Sequence, residues 1–203
     1  MKKILWLLAL ALALPMAAFA GNSVDFSNSG GTLAGTTSGL SLTGSTLIAV
    51  NGYEGSGLIT GSNLGSVAFT TGALESGGSL QMGGTFAPGG SFTITGNGTN
   101  GVPSGVLFSG TFSSATWTLV TLANGTHNYT LTGALTGSLG TGYYTNGVTV
   151  QLTINTGKGY FNGSTRISSG DTTVVVPEPG SLGLLGTGLL GLAGVIRRKI
   201  NLG

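Results

Sequence analysis

The strongest constraint on the fold of this chain is a two-residue alternation of apolar and polar side chains. In the segment 148–155 (VTVQLTIN), every second residue is aliphatic and the residues between them are polar. Successive side chains of a β-strand point to opposite faces, so this pattern is typical of a strand with one dry face. The same alternation predicts that Val106, Phe108 and Phe112 share one face, and it places Trp117 in the core. No segment of this middle region shows helical periodicity over three turns.

Asn-Gly pairs separate the alternating runs, and such pairs accept the positive φ angles of tight turns. They stand at 51–52, 97–98, 100–101, 124–125, 146–147 and 162–163. With these boundaries, the pattern predicts strands near 23–27, 40–50, 57–60, 64–73, 79–86, 90–96, 105–112, 115–122, 127–138 and 147–156. A further strand is predicted near 172–176 as an alternative to a linker.

The predicted fold class is all-β. Short connections favour antiparallel neighbours, and a sheet of that many strands with one apolar face must curl or fold over to bury that face. We therefore expect an antiparallel meander that forms a sandwich or a barrel, followed by one C-terminal transmembrane helix. A β-solenoid is the competing architecture, because Gly and Thr are frequent in solenoids, although the sequence has no fixed repeat period.

Composition excludes several classes of function. Residues 21–176 contain four acidic and two basic side chains, for a net charge of −2. Five of the seven basic residues lie outside that region, so it has no basic patch that could bind nucleic acid. The chain has no cysteine, which leaves neither disulfides nor thiolate chemistry.

The residues that could carry chemistry are isolated from one another in the sequence. His127 is the only histidine, has no cysteine or acidic cluster as a partner, and is predicted to be a solvated turn residue. Glu54 and Glu75 lie in Gly-rich turns and are read as solvated charges rather than a glycosidase pair. The G-x-G-x-x-G match at 96–101 is followed by proline rather than a helix, so it does not predict a dinucleotide site. We expect no catalytic residues, no cofactor and no metal.

The N-terminus has the order of a secretory signal peptide. Lys2 and Lys3 precede an apolar run of 11 residues at 4–14, which is too short to span a membrane. Ala18 and Ala20 then supply the small-x-small pattern that signal peptidase recognises. The sequence therefore predicts a signal peptide over 1–20.

The C-terminal segment has the order of a membrane anchor. Residues 180–196 form a run of 17 residues without a charge, followed by Arg197, Arg198 and Lys199. As a helix this run is roughly 26 Å long, close to the thickness of the hydrocarbon core. The basic cluster places the C-terminus in the cytoplasm. We expect a transmembrane helix over 180–196 with these three residues as its topology anchor.

The residues from Val176 through Pro177, Glu178 and Pro179, with the apolar run and the terminal basic cluster, resemble the PEP-CTERM sorting signal. This resemblance covers only the end of the chain. It implies export in a Gram-negative bacterium and recognition by an exosortase, a membrane-embedded cysteine transpeptidase that cuts near Pro177–Pro179. Proteins with this signal commonly accompany exopolysaccharide and biofilm systems, so an exopolysaccharide is the expected external partner.

Together these features predict a signal peptide (1–20), a Gly/Thr-rich all-β extracytoplasmic domain (21–170), a linker (171–176) and a sorting signal (177–203). We expect an inner-membrane intermediate that is passed to the cell surface or extracellular matrix. The expected role is structural or adhesive and not enzymatic. The alternative is a carbohydrate-binding module, for which Tyr143 and Tyr144, in a Gly-rich loop, are the candidate glycan contacts.

Cleavage after Ala20 is the first testable prediction. Mass spectrometry of the mature protein should find no peptide from residues 1–20, because signal peptidase removes that segment. Abundant peptides that span Ala20 and Gly21 would show that the N-terminal segment is retained.

Overall fold

The computed structural model of the protein describes residues 22–142 and 144–176, which form eleven β-strands and one short 3-10 helix, Tyr53–Gly55. The strands are β1 (Asn22–Ser29), β2 (Thr32–Thr36), β3 (Gly39–Asn51), β4 (Ile59–Thr70), β5 (Gly83–Phe86), β6 (Gly89–Asn97), β7 (Ser104–Thr121), β8 (His127–Leu139), β9 (Tyr144–Asn155), β10 (Ser164–Arg166) and β11 (Ser169–Val176).

Eight of these strands close into a barrel. The hydrogen-bonded order is β1-β11-β9-β8-β7-β6-β4-β3, and β3 pairs back onto β1. Seven of the neighbouring pairs have an antiparallel register, so the strand direction alternates around the barrel. The all-β antiparallel prediction is confirmed. Of the three architectures that the sequence left open, the structure has the barrel, and the sandwich and solenoid alternatives are wrong.

The alternating directions define the two ends of the barrel. We call the end at which β11 finishes at Val176 the exit end; β3, β6 and β8 also finish there, and the loops 52–58 and 98–103 lie there. The opposite end, which we call the capped end, carries the loops 71–82 and 156–163. The short strands β2, β5 and β10 extend the sheet at the capped end, where β2 pairs with Gly39–Thr43 of β3 and β5 with residues 115–118 of β7.

Phenylalanine rings fill the interior of the barrel. Phe69 and Phe92 stack with their ring centroids 5.8 Å apart, and Phe112 meets both rings edge-on. Phe108 packs edge-on against Phe92 at 6.1 Å. All four side chains are buried. Edge-to-face and offset contacts of this kind are favourable beyond simple area burial, so the barrel is a packed core rather than an open container.

A second aromatic cluster closes the capped end. Trp117 stacks on Tyr129 at 5.0 Å and meets Phe161 edge-on at 5.6 Å. The Trp117 indole donates a hydrogen bond to the carbonyl of Leu80 (2.9 Å), and the Tyr129 hydroxyl donates to the carbonyl of Gln81 (2.7 Å). These two hydrogen bonds hold the loop 71–82 against the aromatic cluster. Trp117 is only 1% exposed, which confirms the prediction that it lies in the core.

Several strand boundaries differ from the sequence-based expectation. The strands predicted at 57–60 and 64–73 merge into one strand, β4 (Ile59–Thr70), and those predicted at 105–112 and 115–122 merge into β7 (Ser104–Thr121). A bulge between Phe112 and Ser114 allows β7 to continue through the shift in pattern. The Asn-Gly pair at 146–147 lies inside β9 rather than in a turn. The short strands β2 and β10 were not predicted.

The prediction of a linker over 171–176 is wrong. These residues belong to β11, which pairs with β9 from Ser169↔Thr153 to Val174↔Val148 and fills the gap between β9 and β1. Val174 is fully buried, because its side chain points into the barrel. The alternative prediction of a strand near 172–176 agrees with the structure.

The transmembrane helix predicted over 180–196 lies outside the described residues. Within 22–142 and 144–176, the structure has no helix with the length and apolar character needed to cross a membrane.

The two faces of β9 give the second prediction. Leu152 and Val150 are 1% and 4% exposed, whereas Thr149 and Thr153 face outward. Lysine at Leu152 or Val150 should lower the free energy of unfolding by about 3 kcal/mol or more, because an unpaired charge would be buried. Chemical denaturation of the fragment 21–176, followed by far-UV circular dichroism, measures this.

The matched controls are Thr149→Lys and Thr153→Lys, which should change stability only slightly. Equal destabilisation at inward and outward positions, or a helical spectrum of the parent fragment, would contradict the barrel.

Candidate functional site

A cleft of about 270 Å³ opens at the exit end of the barrel. Its walls come from the segment that connects β3 to β4 and from the loop between β6 and β7. The lining residues are Val50, Tyr53, Glu54, Gly55, Ser56, Ile59, Gly101, Val102 and Pro103. This volume is near the lower limit for a small-molecule site, so the cleft is large enough only for a small group.

The first wall is a tight turn that starts at the Asn51-Gly52 pair. Gly52 has φ 78°, and its N–H donates to the carbonyl of Ser56 at 2.9 Å. A Cβ at Gly52 would collide with the carbonyl oxygen of Ser23, so only glycine fits here. The Ser56 N–H donates to the carbonyl of Tyr53 at 2.9 Å, and the Ser56 hydroxyl donates to the same oxygen.

Two left-handed residues flank the cleft. Glu54 has φ 51° and Asn100 has φ 53°, and they are the only non-glycine residues with positive φ in the part of the chain that the structure describes. Asparagine tolerates this region, but glutamate adopts it at a cost of about 1 kcal/mol. Backbone strain of this kind concentrates at functional sites, which makes the cleft the candidate site within the barrel.

Tyr53 closes the mouth of the barrel beneath the cleft. Its ring meets Phe26 of β1 edge-on at 6.1 Å, and its hydroxyl oxygen lies 2.9 Å from where a Cβ would stand on Gly140, in the turn after β8. Its side chain is 5% exposed. Burial raises the pKa of the Tyr53 phenol above its usual 10.0, and the neighbouring Glu54 carboxylate raises that pKa further.

Two titratable side chains line the cleft. Among its lining residues, Glu54 is the one carboxylate and Tyr53 the one phenol, and they stand without a histidine, lysine or arginine. Glu75 lies in the loop 71–82 at the capped end, where it accepts a hydrogen bond from the Thr85 hydroxyl at 2.6 Å. Glu54 and Glu75 therefore sit at opposite ends of the barrel and do not form a carboxylate pair. Within the described residues, no three His, Asp or Glu side chains come together as a metal site.

The prediction that His127 is a solvated turn residue is wrong. It is the first residue of β8 and is 7% exposed. The loop 156–163 folds over it: the His127 N–H donates to the Gly157 carbonyl at 2.7 Å, and the Tyr160 ring lies 4.3 Å from the imidazole centroid. The Nδ1 atom has no hydrogen-bond partner within the described part of the chain.

The two exposed tyrosines of the described residues, Tyr144 and Tyr160, do not form one platform. Tyr144 is 69% exposed at the start of β9, at the exit end, whereas Tyr160 is 51% exposed at the capped end. Tyr143 lies outside the described residues. Tyr144 is therefore the described member of the Tyr143-Tyr144 pair that is available to a partner.

The end of β11 is held by a side chain rather than by the regular ladder. The register with β9 stops at Val174↔Val148, and the Thr145 hydroxyl then donates to the carbonyl of Val175 at 2.9 Å. The Gly147 N–H donates to the same hydroxyl oxygen at 3.1 Å. Thr145 is 3% exposed, so this clamp is shielded from water.

The model of the PEP-CTERM protein-sorting motif matches residues 175–199, and the resemblance seen in the sequence is confirmed. The chain thus carries a C-terminal sorting motif, which implies export, a membrane-anchored intermediate and an exosortase as the processing partner. Neither a curated protein nor a solved structure matches the chain.

The residues predicted to direct sorting lie outside the described part of the chain. They are Pro177, Glu178, Pro179, Arg197, Arg198, Lys199 and the signal-peptidase residues Ala18 and Ala20. What the structure adds is the starting point of the motif: its first two residues, Val175 and Val176, are the last two of β11.

The cleft and the place of Tyr53 in it could not be predicted from the sequence. The Asn51-Gly52 pair signalled the turn, whereas nothing in the sequence marks Glu54 as left-handed. The loop 98–103 was recognised as a glycine-rich turn without a helix, and the structure agrees. That the two segments meet depends on the order of the strands around the barrel.

The raised pKa of Tyr53 gives the third prediction. In the unfolded chain the Tyr53 phenol loses its proton near pH 10.0, whereas in the folded chain it still keeps the proton at that pH. The stabilisation that comes from burying the neutral phenol is therefore complete below pH 10.0. It is lost as the pH rises through the higher folded-state pKa. The free energy of unfolding of the parent should therefore fall as the pH rises above about 10, and that of Tyr53→Phe should fall less.

Urea unfolding at a series of pH values measures how steeply the free energy of unfolding falls with pH in the parent and in Tyr53→Phe. Glu54→Gln should reduce the slope to a smaller degree, because Glu54 is the lesser cause of the shift. Identical slopes for the parent and Tyr53→Phe would contradict the assignment.

Proposed function

We propose that this protein is an exported, non-enzymatic barrel that serves a structural or adhesive role at the cell surface or in the extracellular matrix. The observation that carries the proposal is the direct passage from the closing strand of a solid barrel into a sorting motif. Phenylalanine rings pack the interior of the barrel, so we expect its contacts with partners to be made by its outer surface.

The outer surface of the sheet supports an adhesive role. Across β7, β8 and β9, the register aligns Thr116 with Thr132 and Gln151, all exposed, and Thr118 with Thr130 and Thr153. These side chains are uncharged and can both donate and accept hydrogen bonds. A neutral, hydroxyl-rich face of this kind suits contact with a hydrated polysaccharide, and the few charges limit repulsion between copies.

A carbohydrate-binding module is the second candidate, and the 69% exposure of Tyr144 favours it. Aromatic rings can pack against the apolar faces of sugars. A glycan array with the fragment 21–176 distinguishes the two: a saturable, sugar-specific signal that Tyr144→Ala removes indicates a module. Weak adhesion that is insensitive to this change indicates the structural role.

Fractionation of a culture into cells, matrix and medium tests the main proposal. The processed protein should concentrate in the matrix, and cells without it should produce a matrix that disperses more easily. Free processed protein in the medium, with an unchanged matrix in its absence, would contradict the proposal.

The fourth prediction separates insertion from processing. Changing Pro177, Glu178 and Pro179 to Ala should leave the full-length protein in the membrane, because proline favours the extended backbone that a peptide-cleaving active site can bind, and alanine does not. Deleting residues 180–203 should instead release a soluble protein, because the apolar run and its basic stop are removed.

The assay is an immunoblot against the barrel after fractionation, in cells with and without the exosortase. If the Ala variant is still shortened and leaves the membrane as the parent does, the tail is a plain anchor and the sorting role of these residues is wrong.

A further inference from the structure

Six Asn-Gly pairs lie in the chain, and an asparagine that precedes glycine is chemically labile. The backbone nitrogen of the glycine can attack the Cγ carbon of the asparagine side chain, because no Cβ on the glycine obstructs the approach. The new N–C bond closes a succinimide ring, and the side-chain nitrogen leaves as ammonia. Water then opens the ring at either carbonyl and gives aspartate or isoaspartate, so each event replaces a neutral amide by a carboxylate.

We propose that Asn100 and Asn162 are sites of spontaneous deamidation and that the folded barrel protects the other four Asn-Gly pairs. The reaction requires the glycine N–H to lose its proton and the asparagine side chain to turn toward the glycine nitrogen. A hydrogen bond on either group must break first and therefore slows the reaction. The six pairs differ in whether such a bond exists.

At three pairs the glycine N–H is already hydrogen-bonded. Those of Gly52 and Gly125 each donate to a backbone carbonyl at 2.9 Å. That of Gly147 donates to the Thr145 hydroxyl at 3.1 Å. The attacking nitrogen of these three pairs is therefore held in place by its acceptor.

At the pair 97–98 the asparagine side chain is held instead. The Asn97 Nδ2 donates to the Asn63 carbonyl at 3.0 Å. The Asn97 Oδ1 accepts from the Thr99 N–H at 3.1 Å and from the Thr99 hydroxyl at 2.6 Å. The side chain cannot turn toward the next nitrogen without breaking these bonds.

Neither restraint applies at Asn100. Asn100 and Gly101 are the central residues of a turn in which the Val102 N–H donates to the Thr99 carbonyl at 2.9 Å. Both have positive φ (53° and 87°), as in a type I′ turn. The turn bond uses neither the Gly101 N–H nor the Asn100 side chain, and within the described part of the chain neither group has a hydrogen-bond partner. Asn100 is exposed, so water reaches it.

Asn162 has the same freedom between two fixed neighbours. The Phe161 N–H donates to the Tyr129 hydroxyl at 3.1 Å, and the Gly163 carbonyl accepts from the Gly35 N–H at 2.8 Å. The Gly163 N–H and the exposed Asn162 side chain have no hydrogen-bond partner among the described residues. The glycine nitrogen is therefore available for attack.

Deamidation at these two sites changes the charge of the barrel. Each event adds one negative charge to residues 21–176, whose net charge is −2. Asn100 lies at the exit end, beside the cleft that Glu54 lines, and Asn162 lies at the capped end. Aspartate tolerates positive φ nearly as well as asparagine, so the turn at 100 can persist after the change. The barrel therefore becomes more acidic at both ends as it ages.

The experiment follows all six pairs in the exported chain, purified from the cells that produce it and incubated in mildly alkaline buffer. Peptide mapping by mass spectrometry at acidic pH measures the converted fraction of each asparagine over time. Asn100 and Asn162 should convert about fivefold faster, or more, than each of the other four, which is the rate ratio that one net hydrogen bond gives. Both aspartate and isoaspartate should form. In denaturing urea the six rates should be similar, because glycine follows every one of these asparagines.

The sequence Asn-Gly-Thr occurs at 97–99 and again at 124–126, which gives a matched pair of variants. Thr99→Val removes a hydroxyl that bonds the first asparagine, so conversion there should accelerate. Thr126→Val should leave the second asparagine slow. There the bond to the asparagine Oδ1 comes from a backbone N–H at 3.0 Å, which valine retains.

Similar rates at all six pairs in the folded protein would overturn the proposal, because the fold would then give no protection. Fastest conversion at any of the four bonded pairs would overturn it as well. Slow conversion at Asn100 or at Asn162 overturns the assignment of that residue. Aspartate without isoaspartate contradicts the succinimide step and indicates direct hydrolysis of the side-chain amide.

Discussion

β11 closes the barrel, and the other strands form a continuous ring only because it is in place. β11 lies between β9 and β1, and the Ser27 hydroxyl of β1 donates to the Asp171 carboxylate of β11 at 2.7 Å. Without β11 the sheet would have two open edges, and exposed edges with unpaired backbone groups invite pairing with other chains. The strand that enters the sorting motif is therefore also the strand that completes the fold.

Stability must come from backbone ladders and ring packing, because the chain has no cysteine and few charges. The inward positions of β8 show how this works. Leu131, Gly133, Leu135 and Gly137 alternate large and small along one face. A Cβ at Gly133 would lie 2.5 Å from the Phe112 ring, and one at Gly137 would lie 2.8 Å from the Phe108 ring. Here the glycines make room for the phenylalanines, so the high glycine content of this strand is a packing feature.

Much of the barrel can be predicted from the sequence, because alternation assigns most side chains to a face. Alternation assigns the wrong face where a bulge or a register shift interrupts it. Val106 was predicted to share a face with Phe108, but a register shift between Ile94 and Thr95 on β6 breaks the alternation. Leu107 and Phe108 are both buried as a result, and Val106 is half exposed. The closing order is also hidden, because β1–β3 and β1–β11 are long-range pairings that no local pattern encodes.

The same limit applies to the sites. The sorting motif is local and could be recognised from its own residues, whereas the cleft comes from separate segments that the barrel brings to one end. The burial of His127 is likewise a long-range effect, because the loop 156–163 that covers it begins 29 residues later in the chain.

Hydrogen exchange of residues 169–176, read by mass spectrometry on the full chain, tests whether β11 closes the barrel. If β11 closes the barrel, its amides should be protected as strongly as those of its partner β9, since the two strands open together. Exchange of 169–176 at the rate of an unstructured peptide, with β9 still protected, would contradict the account. The segment would then be the linker that the sequence first indicated.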